Sequence, residues 1–60
     1  MPERRFIGTK ELAEYLDVKA ETIRYWTFMK QIPYVKMGKL VKFDLRKIED
    51  WIDKRTVKPI

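Results

Sequence analysis

Apolar residues recur at intervals of three and four along two neighbouring segments near the start of the chain, a spacing that places them on one side of a helix. The first segment predicts a helix from about Thr9 to Leu16, and the second predicts a helix from about Ala20 to Met29. Asp17 and Val18 should form a very short turn between them. We expect Ile32-Pro33 to end the second helix, because proline disfavours helical backbone at the residue before it.

The period of the apolar residues changes to two between Tyr34 and Phe43, which predicts β-structure. Two short alternating runs flank Gly38 and Lys39, an arrangement typical of a β-hairpin. We expect Lys36 and Lys42 to share the outward face of this hairpin, with Lys39 at its tip.

Helical spacing returns after the hairpin and predicts a third helix from about Leu45 to Lys54. Asp44 should cap the start of this helix, since an aspartate can accept hydrogen bonds from the first free backbone amides. We found no repeat or linker, so residues 1–60 should form a single domain with its core at about residues 6–54. Residues 55–60 have no pattern and should form a frayed tail.

The order helix, short turn, helix, hairpin, helix predicts an α+β fold that is mostly α, a small winged helix-turn-helix. In such a fold the second helix enters the major groove of DNA, since only this groove admits a helix and distinguishes all four base pairs. The residues of this recognition helix that we expect to contact DNA are Lys19, Ala20, Glu21, Thr22, Arg24 and Tyr25.

These residue types suit different parts of the duplex. Arg24 is the first choice for a base edge, because a guanidinium can pair with O6 and N7 of guanine. Thr22 suits a thymine methyl group or a phosphate, and Lys19 and Tyr25 suit phosphates. Glu21 is equally well explained as a solvated residue on an exposed helix face.

The charge distribution favours a polyanionic partner. The chain carries 14 Lys and Arg against 9 Asp and Glu, a net charge of +5. Residues 19–42 hold six of these basic residues and a single Glu, which is also a net charge of +5. The hairpin would then be a wing that holds phosphates through Lys36, Lys39 and Lys42. The alternative is that lysines merely protect a sheet edge or increase solubility.

The residues that are absent argue against an enzyme. The chain has no Cys, His, Ser or Asn, which excludes disulfides, Cys/His zinc sites, Ser or Cys nucleophiles and imidazole catalysis. We therefore expect no cofactor, no metal and no small-molecule substrate. No apolar run suits a membrane span or a signal peptide, so we expect a cytoplasmic protein. Trp26 and Trp51 lie on apolar stripes and should belong to the core.

Several short motifs over about residues 7–53 match one known pattern. They are Glu11–Trp26, Ile32-Pro33, Gly38 and the spacing Asp44-Leu-x-x-Ile-x-x-Trp51-Ile52. Together they resemble the excisionase-type winged helix-turn-helix domains, and Val18–Trp26 is also similar to the first part of MerR-type regulators. The excisionase group usually has Gly at the position of Asp17 and Ser at that of Lys19.

This resemblance implies a small protein that bends double-stranded DNA and directs the integrase or recombinase of a phage or mobile element towards excision. Further copies bound cooperatively on the DNA are a second expected partner. A small transcription regulator is the alternative within the same resemblance. An alternative of another class is a protein-interaction module whose basic face meets an acidic partner.

Overall fold

Three helices and three short strands make up residues 5–57, the part of the chain that the computed structural model describes. They are β1 (Phe6–Ile7), α1 (Thr9–Leu16), α2 (Ala20–Phe28), β2 (Val35–Met37), β3 (Leu40–Asp44) and α3 (Leu45–Arg55). The predicted helices and hairpin are confirmed, with α2 one residue shorter and α3 one residue longer than expected. Strand β1 was not predicted. Of the expected tail, residues 58–60 lie outside the described part of the chain.

The turn between α1 and α2 begins at Asp17, whose backbone is left-handed with φ 56°. The Val18 amide donates a hydrogen bond to the Ala13 carbonyl at 2.9 Å, and the Asp17 amide donates one to Glu14 at 3.2 Å. These two bonds close the end of α1 in a Schellman motif, which is usually built on glycine. They fix the direction in which the chain leaves α1, and they bring Val18 onto the core.

The end of α2 is built in the same way, at Lys30. This residue also has φ 56°, and the amide of Gln31 donates a 2.8 Å hydrogen bond to the carbonyl of Trp26. The helix therefore stops at this turn, with Phe28 as its last residue. The prediction that Ile32-Pro33 ends the helix is wrong, because the left-handed residue ends it earlier.

Strand β3 is the centre of an antiparallel sheet in the order β1-β3-β2. Met37 pairs with Leu40 across a two-residue loop, so Gly38 and Lys39 form the hairpin turn as predicted. Gly38 has φ 63° whereas Lys39 is not among the residues with positive φ, and this combination distinguishes a type II′ turn from a type I′ turn. This turn matches the right-handed twist of the strands that it joins.

The core lies where α1, α2 and α3 meet one face of the sheet. Its fully buried large side chains are Leu12, Ile23, Phe43 and Ile48. Asp44 caps α3 as predicted, since its side chain accepts a hydrogen bond from the Arg46 amide at 3.0 Å. The cap places Phe43 and Ile48 on either side of the helix start, and both then enter the same core.

Trp26 and Trp51 pack against the edge of this core and against each other. Their ring centroids are 5.5 Å apart, with the ring planes inclined by 58°. The Trp51 indole N–H donates a hydrogen bond to the Gln31 carbonyl at 2.8 Å, and the Arg55 guanidinium lies 4.3 Å from the centroid of the Trp51 ring. Both indoles therefore hold α2, the following turn and α3 together, which agrees with the predicted role in packing.

Candidate nucleic-acid interface

One side of α2 is packed and the other is open to solvent. Ile23 is fully buried, while Ala20 and Trp26 are half-buried against the core. Residues three and four positions apart lie on the same side of a helix, so these three define the inward face. The residues on the opposite face are exposed, and they are Glu21, Arg24, Tyr25 and Phe28.

The six predicted recognition residues are therefore not equivalent. Lys19, Glu21, Arg24 and Tyr25 are exposed, whereas Thr22 is half-buried and Ala20 is turned towards the core. Lys19 stands immediately before α2, and its carbonyl accepts hydrogen bonds from the Thr22 and Ile23 amides. Its side chain makes no capping hydrogen bond. An exposed lysine that is not engaged in capping therefore stands at the start of the helix.

The buried Ile23 fixes the backbone position of Arg24, whereas the Arg24 side chain itself makes few contacts. It follows the fully buried Ile23, and no hydrogen bond or ion pair joins its guanidinium to another residue within 5–57. A guanidinium without an intramolecular partner retains all five of its N–H donors for an external acceptor. Tyr25 beside it is 57% exposed. Within residues 5–57, no carboxylate therefore occupies the N–H donors of Arg24, and they are open to an acceptor on a partner.

The last residues of α2 were not assigned to a face from the sequence, and the structure separates them. Thr27 is half-buried and donates a hydrogen bond from Oγ1 to the Ile23 carbonyl at 2.8 Å. Phe28 is 82% exposed and Met29 is 47% exposed. Phe28 thus belongs to the open face, which the sequence analysis did not identify. The signal was its position three residues after Tyr25 and four after Arg24.

The prediction that Lys36 and Lys42 share the outward face of the hairpin is wrong. Lys36 lies opposite Val41, and Lys42 lies opposite Val35. Directly paired residues of antiparallel strands point to the same side of the sheet, and successive residues along a strand point to opposite sides. Lys36 therefore shares a face with Val41, and Lys42, the residue after Val41, lies on the other face. Lys36 is exposed on the side of Val41, which packs against the core.

Lys42 lies instead close to the beginning of α1. It is half-buried, and its Nζ is 3.9 Å from the place that a Cβ would take on Gly8. Gly8 precedes the first residue of α1, so this ammonium group lies near the positive end of the helix dipole. Lys39 is exposed in the turn, as predicted. The three wing lysines therefore present positive charge on both faces and at the tip.

The fold is a winged helix-turn-helix. A short turn joins α1 to α2, the open face of α2 is exposed, and a basic hairpin and α3 follow. A family model described as a helix-turn-helix domain matches residues 6–56, and the chain belongs to this family of excisionase-like DNA-binding domains. No curated protein and no solved structure matched the chain.

Two further searches of residues 5–57 bear on other classes of protein. None of the helices there is both long enough and apolar enough to cross a lipid bilayer. The same residues contain no group of three or more Asp, Glu, His or Cys side chains placed to hold a metal ion.

Proposed function

We propose that this protein binds double-stranded DNA with sequence preference, with the open face of α2 in the major groove and the hairpin lysines on the phosphate backbone. The observation that carries the proposal is the placement of Arg24. The fully buried Ile23 fixes the helix beneath it, and the guanidinium has no partner within the described residues. Membership of a family of DNA-binding domains supports DNA binding as the general activity.

The six residues around the start of α2 take different parts in this proposal. Arg24 reads a guanine through O6 and N7, and Lys19 and Tyr25 hold phosphates. Thr22 reaches a phosphate or a thymine methyl group from its half-buried position. Glu21 stays solvated or accepts from a cytosine amino group. Ala20 acts through packing, since it keeps the helix start against the core.

The wing supplies affinity rather than sequence preference. Lys36, Lys39 and Lys42 approach phosphates, which are the same in every sequence. Since Lys36 and Lys42 lie on opposite faces, the two lysines would contact different phosphates. The half-buried stem of Lys42 limits its reach to the region beside Gly8.

In the cell we propose a cytoplasmic accessory factor without cofactor or enzymatic activity, which bends a recombination site and directs an integrase or recombinase towards excision. A lone domain of this size covers only about 600–1,000 Å² of DNA interface, so further copies would have to bind cooperatively to reach high specificity. A small transcription regulator is the alternative, and it needs the same DNA-binding face.

The test is binding to labelled duplex DNA by fluorescence anisotropy, with double-stranded RNA and polyglutamate as competitors. We expect binding to duplex DNA that RNA displaces poorly, because the RNA major groove is too narrow for a helix. If polyglutamate displaced the labelled duplex as well as unlabelled duplex DNA does, the result would support a protein-interaction module for acidic partners and contradict the proposal. Footprinting on DNA next to the gene, followed by an excision assay with an adjacent integrase, separates excision from transcription control.

A further inference from the structure

Phe28 is the most exposed aromatic side chain of the described residues. It is 82% exposed, compared with 57% for Tyr25 and 55% for Tyr15. An aromatic ring that stays in water forgoes the free energy that burial would give it. No side chain within residues 5–57 covers it, so this part of the chain leaves the ring open to a bound partner.

Its position is fixed by the helix and not by a flexible loop. The neighbouring Thr27 points inward and bonds the Ile23 carbonyl at 2.8 Å, which keeps the last turn of α2 in register. Phe28 therefore points away from the core, on the face that also carries Arg24 and Tyr25. Residues three and four positions apart are neighbours on a helix surface, so the ring continues the proposed reading face without a gap.

We propose that Phe28 is a specificity-determining residue that packs against the C5-methyl group of a thymine in the major groove. The inference rests on the proposed function, since it requires α2 to lie in that groove. The thymine methyl is the apolar group among the base edges that this groove displays, and aromatic side chains are among its usual contacts. The surrounding positive charge of residues 19–42 matches the phosphates on either side of such a site.

The helix geometry also places this thymine relative to the guanine read by Arg24. Four residues of α-helix advance by about 6 Å along the axis. Base pairs follow one another at about 3.4 Å, so 6 Å corresponds to about two base pairs. The thymine should therefore lie within about two base pairs of the guanine that Arg24 reads. That guanine is the one whose replacement makes binding insensitive to Arg24→Ala.

The experiment replaces each thymine of the footprinted duplex in turn by deoxyuridine, which removes the C5-methyl group and leaves the hydrogen-bonding edge unchanged. Binding of the wild-type chain and of Phe28→Ala is measured by anisotropy at one salt concentration. Burial of a single methyl group corresponds to about a fourfold change in affinity. We expect deoxyuridine at one position to weaken wild-type binding about fourfold and to leave Phe28→Ala binding unchanged. Tyr15→Ala, which removes an exposed aromatic ring from α1, should keep the wild-type response.

Each other result decides against the inference in its own way. Wild-type protein that binds duplex DNA but tolerates every deoxyuridine would overturn the role of Phe28 and leave the proposed function standing. A Phe28→Ala variant that keeps the wild-type methyl response would do the same. Self-association without DNA that is lost in Phe28→Ala, with the methyl response intact, would assign the ring to a second copy. Wild-type protein that binds no duplex would overturn the proposed function and the inference together.

Discussion

Asp44 accepts two hydrogen bonds from the guanidinium of Arg5, although the two residues are 39 positions apart along the chain. Nε and Nη2 of Arg5 lie 3.2 and 3.1 Å from Oδ2 of Asp44. The other carboxylate oxygen, Oδ1, accepts from the Arg46 amide at the start of α3. Asp44 is only 5% exposed, so one nearly buried carboxylate joins the residue before β1 to the beginning of α3.

This arrangement predicts how stability depends on acid. Burial alone would raise the pKa of Asp44, but hydrogen bonds from Arg5 and the Arg46 amide, with the charges of both arginines, outweigh it and hold the pKa below its ordinary value of 3.8. The ionised form therefore stabilises the fold above about pH 4, and this contribution is lost as the pH falls through the lowered pKa. We expect Asp44→Asn to lower the melting temperature at pH 7 and to flatten its fall in acid.

Thermal melts followed by circular dichroism between pH 2 and pH 7 check this expectation. The matched control is Asp50→Asn, since Asp50 forms an exposed ion pair with Lys54 at 3.2 Å. Exposed pairs contribute little, so the control should keep the acid dependence of the wild-type chain. If the melting temperatures of Asp44→Asn and the wild-type chain fell by the same amount between pH 7 and pH 2, the role of this carboxylate would be contradicted.

A second prediction concerns the left-handed residue that ends α2. Lys30 has φ 56°, a conformation that glycine adopts without the penalty paid by other residues. We expect Lys30→Gly to raise the free energy of unfolding by about 1 kcal/mol. In a domain of this size that is an increase of roughly 4–8 °C in melting temperature.

The control for this change is Lys30→Ala, which removes the same charge but keeps a Cβ at the strained position. Alanine at φ 56° should give no gain, because its Cβ meets the same backbone atoms. Equal stabilisation by glycine and alanine would show that loss of the lysine charge, and not relief of the backbone, is responsible.

The end of α2 also shows which features the sequence alone could predict. Helical spacing around Ile23 and the alternation around Gly38 are local patterns, and both predicted the observed elements. The stop at Lys30 could not be predicted from that residue, since lysine has no preference for left-handed backbone. A proline further along the chain gave the stronger but misleading signal.

The error on the wing has a different origin. The alternation of apolar and polar residues shows which residues of one strand share a face. How the faces of two strands correspond depends on the register that the loop sets between them. Once Met37 is opposite Leu40, Lys36 must pair with Val41, on the face opposite to that of Lys42. Strand β1 was missed for a related reason, because its two residues are defined only by pairing with the distant β3.

A third prediction tests the wing through its salt dependence. If about five phosphates are neutralised, the logarithm of the binding constant should fall with the logarithm of salt concentration at a slope of about −4.5. Lys39→Ala should weaken binding to all duplexes by a similar factor and flatten this slope by about 0.9. Lys47→Ala removes the same charge from the exposed surface of α3 and should leave the slope unchanged. A slope that is unchanged by Lys39→Ala would remove the wing tip from the interface.

The last prediction separates the reading of bases from attraction to phosphates. Arg24 is exposed on α2 directly after the buried Ile23, so its loss should leave the fold intact. If its guanidinium pairs with a guanine, Arg24→Ala should cost about 1–3 kcal/mol on the preferred duplex and much less on random duplexes. The measurement is a competition between both duplexes at one salt concentration.

Arg24→Lys is the decisive companion, because lysine restores the charge but not the planar pair of donors. We expect it to recover binding to random DNA and to leave the preference weakened. Equal losses on both duplexes for Arg24→Ala would reassign the guanidinium to a phosphate, since phosphates are the same in both. No loss on either duplex would mean that the open face of α2 does not meet DNA. The deoxyuridine response of Phe28 would then have to disappear as well, because both side chains lie on that face.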